Sequence, residues 1–205
     1  MGRTDTKQTL IDTALDLIWK NSYGSVSVDD ICKAAGVKKG SFYHFFPSKV
    51  DLAIAAMEES QRALKPRYDE IFSPASPPVE RFAQLADFMV EKQEEAALKY
   101  GRVCGCPCAA LGSEMAGQED GIRAKFEEVA HRQERYYENA LRDMIAEGLL
   151  PATTDVKVTA QEIYAYFLGQ TMIARIQNDL DTLKRDLKPG LLRLLGVEGR
   201  ASQAA

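Results

Sequence analysis

The chain has 205 residues, 45% hydrophobic and 27% charged, with a formal net charge of −4, the balance of an ordinary soluble globular protein. No run approaches the ~20 consecutive apolar residues of a membrane span, and the opening Met1-Gly2-Arg3-Thr4-Asp5 lacks a signal-peptide core. A cytoplasmic protein with no membrane partner is expected. The net charge conceals an asymmetry: residues 1–50 carry seven Lys/Arg against five Asp/Glu, and the remainder nineteen against twenty-five. A basic head (+2) on an acidic body (−6) suits a protein that meets phosphates with one end only.

Helical periodicity runs nearly end to end, and no alternating strand pattern emerges. Leu10, Ile11, Ala14, Leu15 and Ile18 make the stripe of a first helix, which should stop between Asn21 and Gly24. Ser27-Val28-Asp29-Asp30 fits a capping box, in which hydroxyl and carboxylate satisfy each other's backbone amides. It opens a short second helix with Val28, Ile31, Cys32 and Ala35 inward. Gly36 and Val37 make a tight turn, and a third helix runs from about Lys39 to Phe45, stopped by Pro47. Ser48-Lys49-Val50-Asp51 repeats the capping pattern and starts a fourth helix reaching about Tyr68.

The Ser73–Pro78 stretch is the clearest linker, with Pro78 able to begin the next helix. Val79, Phe82, Leu85, Ala86, Met89 and Val90 are the core face of that fifth helix. Gly101 to Pro107 breaks the pattern, a short helix ends at Met115, and Gly117 to Gly121 is a second break. A long helix carries Ile122, Phe126, Val129, Tyr137, Leu141 and Ile145 to Gly148. Thr159-Ala160-Gln161-Glu162 reads as a third capping box leading into Ile163, Phe167, Met172 and Ile176. Leu183, Leu187, Leu191 and Leu195 close the chain, with Pro189 kinking or restarting the last helix. The expected fold is all-α, about nine helices: a three-helix head over residues 1–50, a helical domain over 51–199 and a disordered tail at 200–205.

Ser27 to Lys49 reads SVDDICKAAGVKKGSFYHFFPSK. Two short helices joined by a glycine turn form a helix-turn-helix, whose second helix can enter a major groove. Lys39, Gly40 and Ser41 are small or polar at the leading end of that helix, where backbone and side chains must approach bases. Tyr43 and His44 lie one turn on, within reach of phosphate oxygens or a base edge. Phe42, Phe45 and Phe46 should pack inward and set the helix angle. Lys38 and Lys49 add cations, and Ser27 and Lys49 stand at helix starts where amides can meet a phosphate. The plainer alternative is a three-helix bundle with no DNA role.

The stretch from Thr9 to Leu52 resembles the TetR (tetracycline-repressor-like) family of bacterial regulators. The match is carried by Ala14 and Gly24, then Val28-x-x-Ile31-x-x-x-Ala35-Gly36-Val37, Lys39-Gly40-Ser41-Phe42-Tyr43-His44-Phe45-Phe46 and Ser48-Lys49-x-x-Leu52. Two positions depart from the family pattern: Lys38 stands where Ser or Thr is usual, and Cys32 where Ala is common. The resemblance implies a homodimer that grips a palindromic double-stranded DNA operator, with half-sites ~34–36 Å apart. It also implies repression, relieved by a small-molecule inducer in the C-terminal domain. Dimerisation would run through the last two helices, where Gly169 suits close approach.

The C-terminal region shows no catalytic constellation and calls for no cofactor. His131 sits among Arg132, Glu134 and Arg135, a surface pattern. The unusual feature is Cys104-Gly105-Cys106-Pro107-Cys108. Alternate residues are poorly placed to pair with one another, so this is no disulfide framework. With Pro107 in the first turn of the short helix, Cys106 lies at its N-terminus, where amides and dipole favour thiolate. The segment also resembles a TetR branch with a Gly-Cys pair here and Leu and Glu soon after, at Gly105, Cys106, Leu111 and Glu114; some members of that branch sense electrophiles through the cysteine, while in others the ligand is a small organic acid or is not known. Three readings stand together: small residues lining a helix junction, a reactive thiol, or a soft-metal site. A closed zinc site is disfavoured by the missing CxxC pair and histidine. Met89, Tyr100, Phe126, Tyr137, Tyr164 and Phe167 are candidate pocket walls or plain core. A thiol enzyme built on Cys106 would need a base within hydrogen-bond reach, and none is near in sequence.

Overall fold

The computed structural model describes residues 3–198; the tail expected at 200–205 lies outside them. The helices are α1 (Arg3–Lys20), α2 (Val28–Ala35), α3 (Lys39–Phe45), α4 (Lys49–Ile71), α5 (Pro78–Tyr100), α6 (Pro107–Met115), α7 (Asp120–Ala146), α8 (Val156–Gln177) and α9 (Leu180–Leu194). Among the described residues there is no strand, so the all-α expectation of about nine helices holds.

Local chemistry explains most of the boundaries. At α2 the expected box is complete: the Asp30 amide donates to Ser27 Oγ at 3.1 Å, and the Ser27 amide to Asp30 Oδ2 at 2.9 Å. The Ser27 hydroxyl, which also donates to Asp30 Oδ2, and then the Ser27 amide hold the Asp30 carboxyl below the usual range. Gly36 closes α2 with φ 66°, a left-handed cap. The box expected at Thr159 does not start α8. Asp155 caps that helix a full turn earlier, its Oδ1 accepting the amides of Lys157 and Val158, each at 3.1 Å. A carboxylate accepting two amides outcompetes a hydroxyl, and Thr159 is left inside the helix. Pro189 does not restart the last helix: α9 runs through it. Tyr166 Oη donates to the carbonyls of Asp186 and Leu187 on the same turn, at 3.2 and 3.1 Å. Gly190 makes room for that phenol: a Cβ there would lie 2.0 Å from the oxygen.

The described chain forms two compact units. One comprises the residues up to Leu64 with Cys106–Val129; the other comprises Lys65–Gly105 with the residues from Ala130 onward. In the first, Leu10, Ala14, Ile31, Phe42, Leu52, Cys108, Leu111 and Ile122 share one core. In the second, α5 packs on α9 and α9 on α8, and Phe72, Phe82, Tyr137 and Phe167 form a chain of ring contacts with centroids 5.7–6.3 Å apart. Buried Arg81 ties the linker down, its Nε donating to Ser76 O at 2.8 Å and its guanidinium pairing with Asp143.

The two candidate caps of α8 make separable predictions. Asp155→Ala should lower stability by about 1 kcal/mol, whereas Thr159→Ala, inside the helix, should be neutral or slightly stabilising. Urea denaturation of the two variants beside wild type checks this.

Candidate DNA-binding surface and thiol site

The helix-turn-helix is oriented by its buried side. Phe42 is fully buried and Phe46 nearly so, with ring centroids 6.1 Å apart, and Phe45 is partly buried against the same core. The opposite side of α3 faces outward: Lys38, Lys39, Gly40, Tyr43 and His44 are exposed, Tyr43 by 52%, and Ser41 is half-buried. Gly40 has ordinary helical backbone, and a Cβ there would meet nothing within 4 Å. The fold itself therefore does not require glycine at 40; an approaching backbone or base edge would benefit from it. Lys38 is the N-cap of α3 with no side-chain cap bond, the consequence expected where Ser or Thr is absent. Lys39 already has a partner, its Nζ lying 2.9 Å from Asp29 Oδ1. A phosphate would have to compete with that exposed pair, which is weak.

Ser27 and Lys49 have other primary duties. Ser27 is occupied in the capping box, as above. The ammonium of Lys49, expected to meet a phosphate, points inward. It donates to the carbonyls of Tyr23 and Val26, both at 2.8 Å, and sits 3.8 Å from the centre of the Tyr23 ring. Burial lowers its pKa. It brackets the α1–α2 loop to the start of α4.

The same loop is held from the other side by a residue that sequence reasoning did not assign to it. Glu114, near the end of α6, accepts the amide of Tyr23 at 3.0 Å on one oxygen and that of Gly24 at 2.5 Å on the other. Gly24 permits this, since a Cβ there would come 2.7 Å from the carboxylate. Burial, then the charges of Glu119 and Glu114, raise the Tyr23 phenol.

At the other end of α6, Cys106 is the N-cap and Pro107 occupies the first turn, as expected. The thiols do not form one cluster. Cys104 belongs to the second unit, where its Sγ faces Arg102 O at 3.5 Å and burial raises its pKa. The chain around it is fastened there: Arg175 donates to Cys104 O at 2.8 Å, and the Gln93 amide brackets Gly105 on both backbone groups. Gly105 has φ 67°, and a Cβ there would lie 3.2 Å from Thr171 O. Cys106 and Cys108 belong to the first unit. All four cysteines are free, in keeping with the expectation of no disulfide framework; the thiols of Cys106 and Cys108 are nevertheless in hydrogen-bonding contact. The reason is that α6 begins between them, turning an extended residue and a first-turn residue toward the same side.

Of the candidate pocket walls, Tyr137 and Phe167 are buried in contact, while Met89, Tyr100 and Tyr164 are half-buried in the same unit. Phe126 belongs to the first unit, 3.3 Å from where a Gly112 Cβ would stand. Among the described residues no group of three or more His, Cys, Asp or Glu side chains converges as a metal site, and no helix is long and apolar enough to cross a membrane.

A capped α2, a glycine turn and an outward α3 with exposed lysines, tyrosine and histidine define a helix-turn-helix regulator. Comparison with known proteins agrees. Residues 10–56 match the family described as bacterial regulatory proteins, tetR family, and residues 78–188 the tetracyclin repressor-like C-terminal domain. The chain is 32% identical over 176 residues to the transcriptional regulator AcuR of Cereibacter sphaeroides, covering 86% of this chain and 79% of that one. It is 25% identical over 186 residues to the transcriptional repressor NemR of Escherichia coli, covering 89% and 90%. Among solved structures, the regulatory protein TetR from Rhodobacter sphaeroides aligns with TM-score 0.76 at 29% identity over 92% of this chain and 96% of that one. The reduced form of E. coli NemR aligns with TM-score 0.79 at 23% identity over 94% and 96%. The chain belongs to the TetR family of bacterial transcriptional regulators; it is a DNA-binding regulator and not an enzyme.

Two predictions come from the clamp on the α1–α2 loop. Glu114→Gln keeps an acceptor for one loop amide and sets an NH2 against the other, so the Tyr23 and Gly24 amides should exchange with solvent roughly tenfold faster, ~1 kcal/mol of local opening. Hydrogen exchange read by mass spectrometry checks it, and unchanged rates there would sink it. Lys49→Met should cost ~1–3 kcal/mol of stability by leaving two carbonyls without their cation, while the salt slope of DNA binding is unchanged. Lys38→Ala should do the reverse, leaving stability intact and flattening the slope by about 0.9 per lost phosphate contact.

Proposed function

We propose that this regulator is a repressor which binds a palindromic operator as a homodimer and lets go when a small molecule or reactive electrophile engages its C-terminal domain. Its place of work would be the cytoplasm. The observation that carries the reading is the outer face of α3. Its exposed side chains are not required by the core, and the open space at Gly40 suits close approach to a base edge. The positive head supplies the non-specific attraction to phosphate.

Dimerisation through α8 and α9 is supported by an apolar stripe on α8. Val158, Ala165, Gly169, Ile173 and Ile176 are all exposed, Ile176 by 79%, and a Cβ at Gly169 would meet nothing within 4 Å. Apolar area of that kind is costly in water and is what an obligate partner helix covers. Repression draws support from NemR, which carries the name of a transcriptional repressor. The electrophile option draws support from Cys106, half-buried at a helix N-terminus.

DNA binding to the region upstream of the protein's own gene, followed by fluorescence anisotropy, tests the reading. Wild type should prefer that fragment to random DNA by at least a hundredfold at moderate salt, in line with the usual specific-to-non-specific ratio of ~10³ or more. No preference would sink the repressor reading. N-ethylmaleimide in the same titration divides the triggers: release from wild type but not from Cys106→Ser marks a thiol trigger, and retention by both marks a non-covalent ligand.

A further inference from the structure

Cys106 and Cys108 flank Pro107 at the start of α6, in unlike surroundings. Cys108 has no exposed surface; its Sγ lies 3.7 Å from both Ser60 Oγ and Gln61 Nε2 of α4, two polar side chains that are themselves at least nine-tenths buried. Cys106, in contact with it, is only half-buried. That contact and then burial push the Cys108 thiol well above its ordinary value, so Cys108 keeps its proton and offers S–H to the sulfur of Cys106. Reach is not an obstacle. Two residues of chain span at most ~7 Å, and disulfides join Cα atoms about 4.4–6.8 Å apart. Cys104 is fastened elsewhere, in the second unit.

We propose that Cys106 and Cys108 are a dithiol pair oxidised by hydrogen peroxide, with Cys106 the attacking thiol and Cys108 the resolving thiol, closing a disulfide across Pro107. In the first step the Cys106 thiolate attacks a peroxide oxygen, the O–O bond breaks, hydroxide leaves and Cys106 becomes a sulfenic acid. In the second, Cys108 sulfur attacks the sulfenyl sulfur; the S–S bond forms, the S–O bond breaks, and the Cys108 proton departs in the water released. Hydroxide takes up the proton that Cys106 gave up on ionising, so two thiols and one peroxide give one disulfide and two waters. The buried, protonated neighbour is what stops the oxidation at a reversible stage, because a sulfenic acid beside a thiol condenses before it climbs to sulfinic acid. Closing the bond replaces the thiol that Ser60 and Gln61 contact, and so alters how the first turn of α6 sits on α4. That consequence for DNA binding rests on the repressor reading above; the bond formation does not.

The full-length protein treated with hydrogen peroxide, then alkylated and digested with trypsin, yields one peptide over 103–123 with all three cysteines of the segment. Tandem mass spectrometry should find it two hydrogens lighter, linked between Cys106 and Cys108, alkylated at Cys104, and restored by dithiothreitol. Cys108→Ser should lose the link and accumulate sulfinic acid at Cys106, while Cys104→Ser should keep it. A link through Cys104, or no link in a protein that still holds its operator, overturns the pairing. Wild-type peptide mapping alone decides this if a variant misfolds. A disulfide formed with no loss of operator binding counts against its regulatory use and leaves the pairing standing.

Discussion

The clamp on the α1–α2 loop is the constraint on which the DNA-facing surface depends. Two backbone amides of the loop point at Glu114, and two of its carbonyls point at Lys49. The loop is irregular and its internal bonds, Val26 amide to Tyr23 carbonyl at 3.3 Å and Ser22 with Ser25, do not engage the Tyr23 and Gly24 amides; a carboxylate distant in sequence accepts those amides, and an ammonium adds to the Tyr23 and Val26 carbonyls. With the loop fixed, α1 and α2 meet at a set angle, α2 sets α3 through the Gly36 turn, and the buried Phe42–Phe46 pair turns the outer face of α3 to solvent. The partners come from α6 and from the first turn of α4, so the recognition surface is positioned by helices that lie outside the helix-turn-helix itself.

That dependence explains what the sequence made legible and what it did not. Capping boxes, the glycine turn and apolar stripes are local, with cause and effect a few residues apart, and the boundaries of α2, α3 and α6 follow from them. Asp155 was missed because two cap-forming residues compete within one turn, and only the backbone reveals which accepts amides. Lys49 illustrates a different limit: a lysine at a helix start beside a DNA-binding motif has the composition of a phosphate contact, whereas its direction here is set by the Tyr23 ring and carbonyls 23 and 26 residues away. Glu114 was visible as a residue of a resembled segment. Its loop partners are 90 and 91 residues away, and no periodicity encodes such a pairing.

The cysteine segment shows the same limit at closer range. In sequence, Cys104, Cys106 and Cys108 are one alternating run. In space the backbone of Gly105, left-handed and gripped by Gln93, turns the chain between Cys104 and Cys106. The first thiol is left facing a carbonyl in one unit, and the other two face each other in the next. The sequence singles out Cys106 at the helix start but does not separate Cys104 from Cys108; burial and contact distinguish those two.

These observations give α6 a place in the regulator that its nine residues would not suggest. Its first turn carries the contacting thiols and rests on Ser60 and Gln61; its last carries the carboxylate that holds the α1–α2 loop. Leu111, between them, is buried in the same core as Leu10, Ile31 and Phe42. A rigid helix so short transmits a displacement at one end to the other with little loss, because close-packed cores move between discrete arrangements and do not deform continuously. The thiols Cys106 and Cys108 and the carboxylate that holds the α1–α2 loop therefore stand at opposite ends of one helix inside one packed unit.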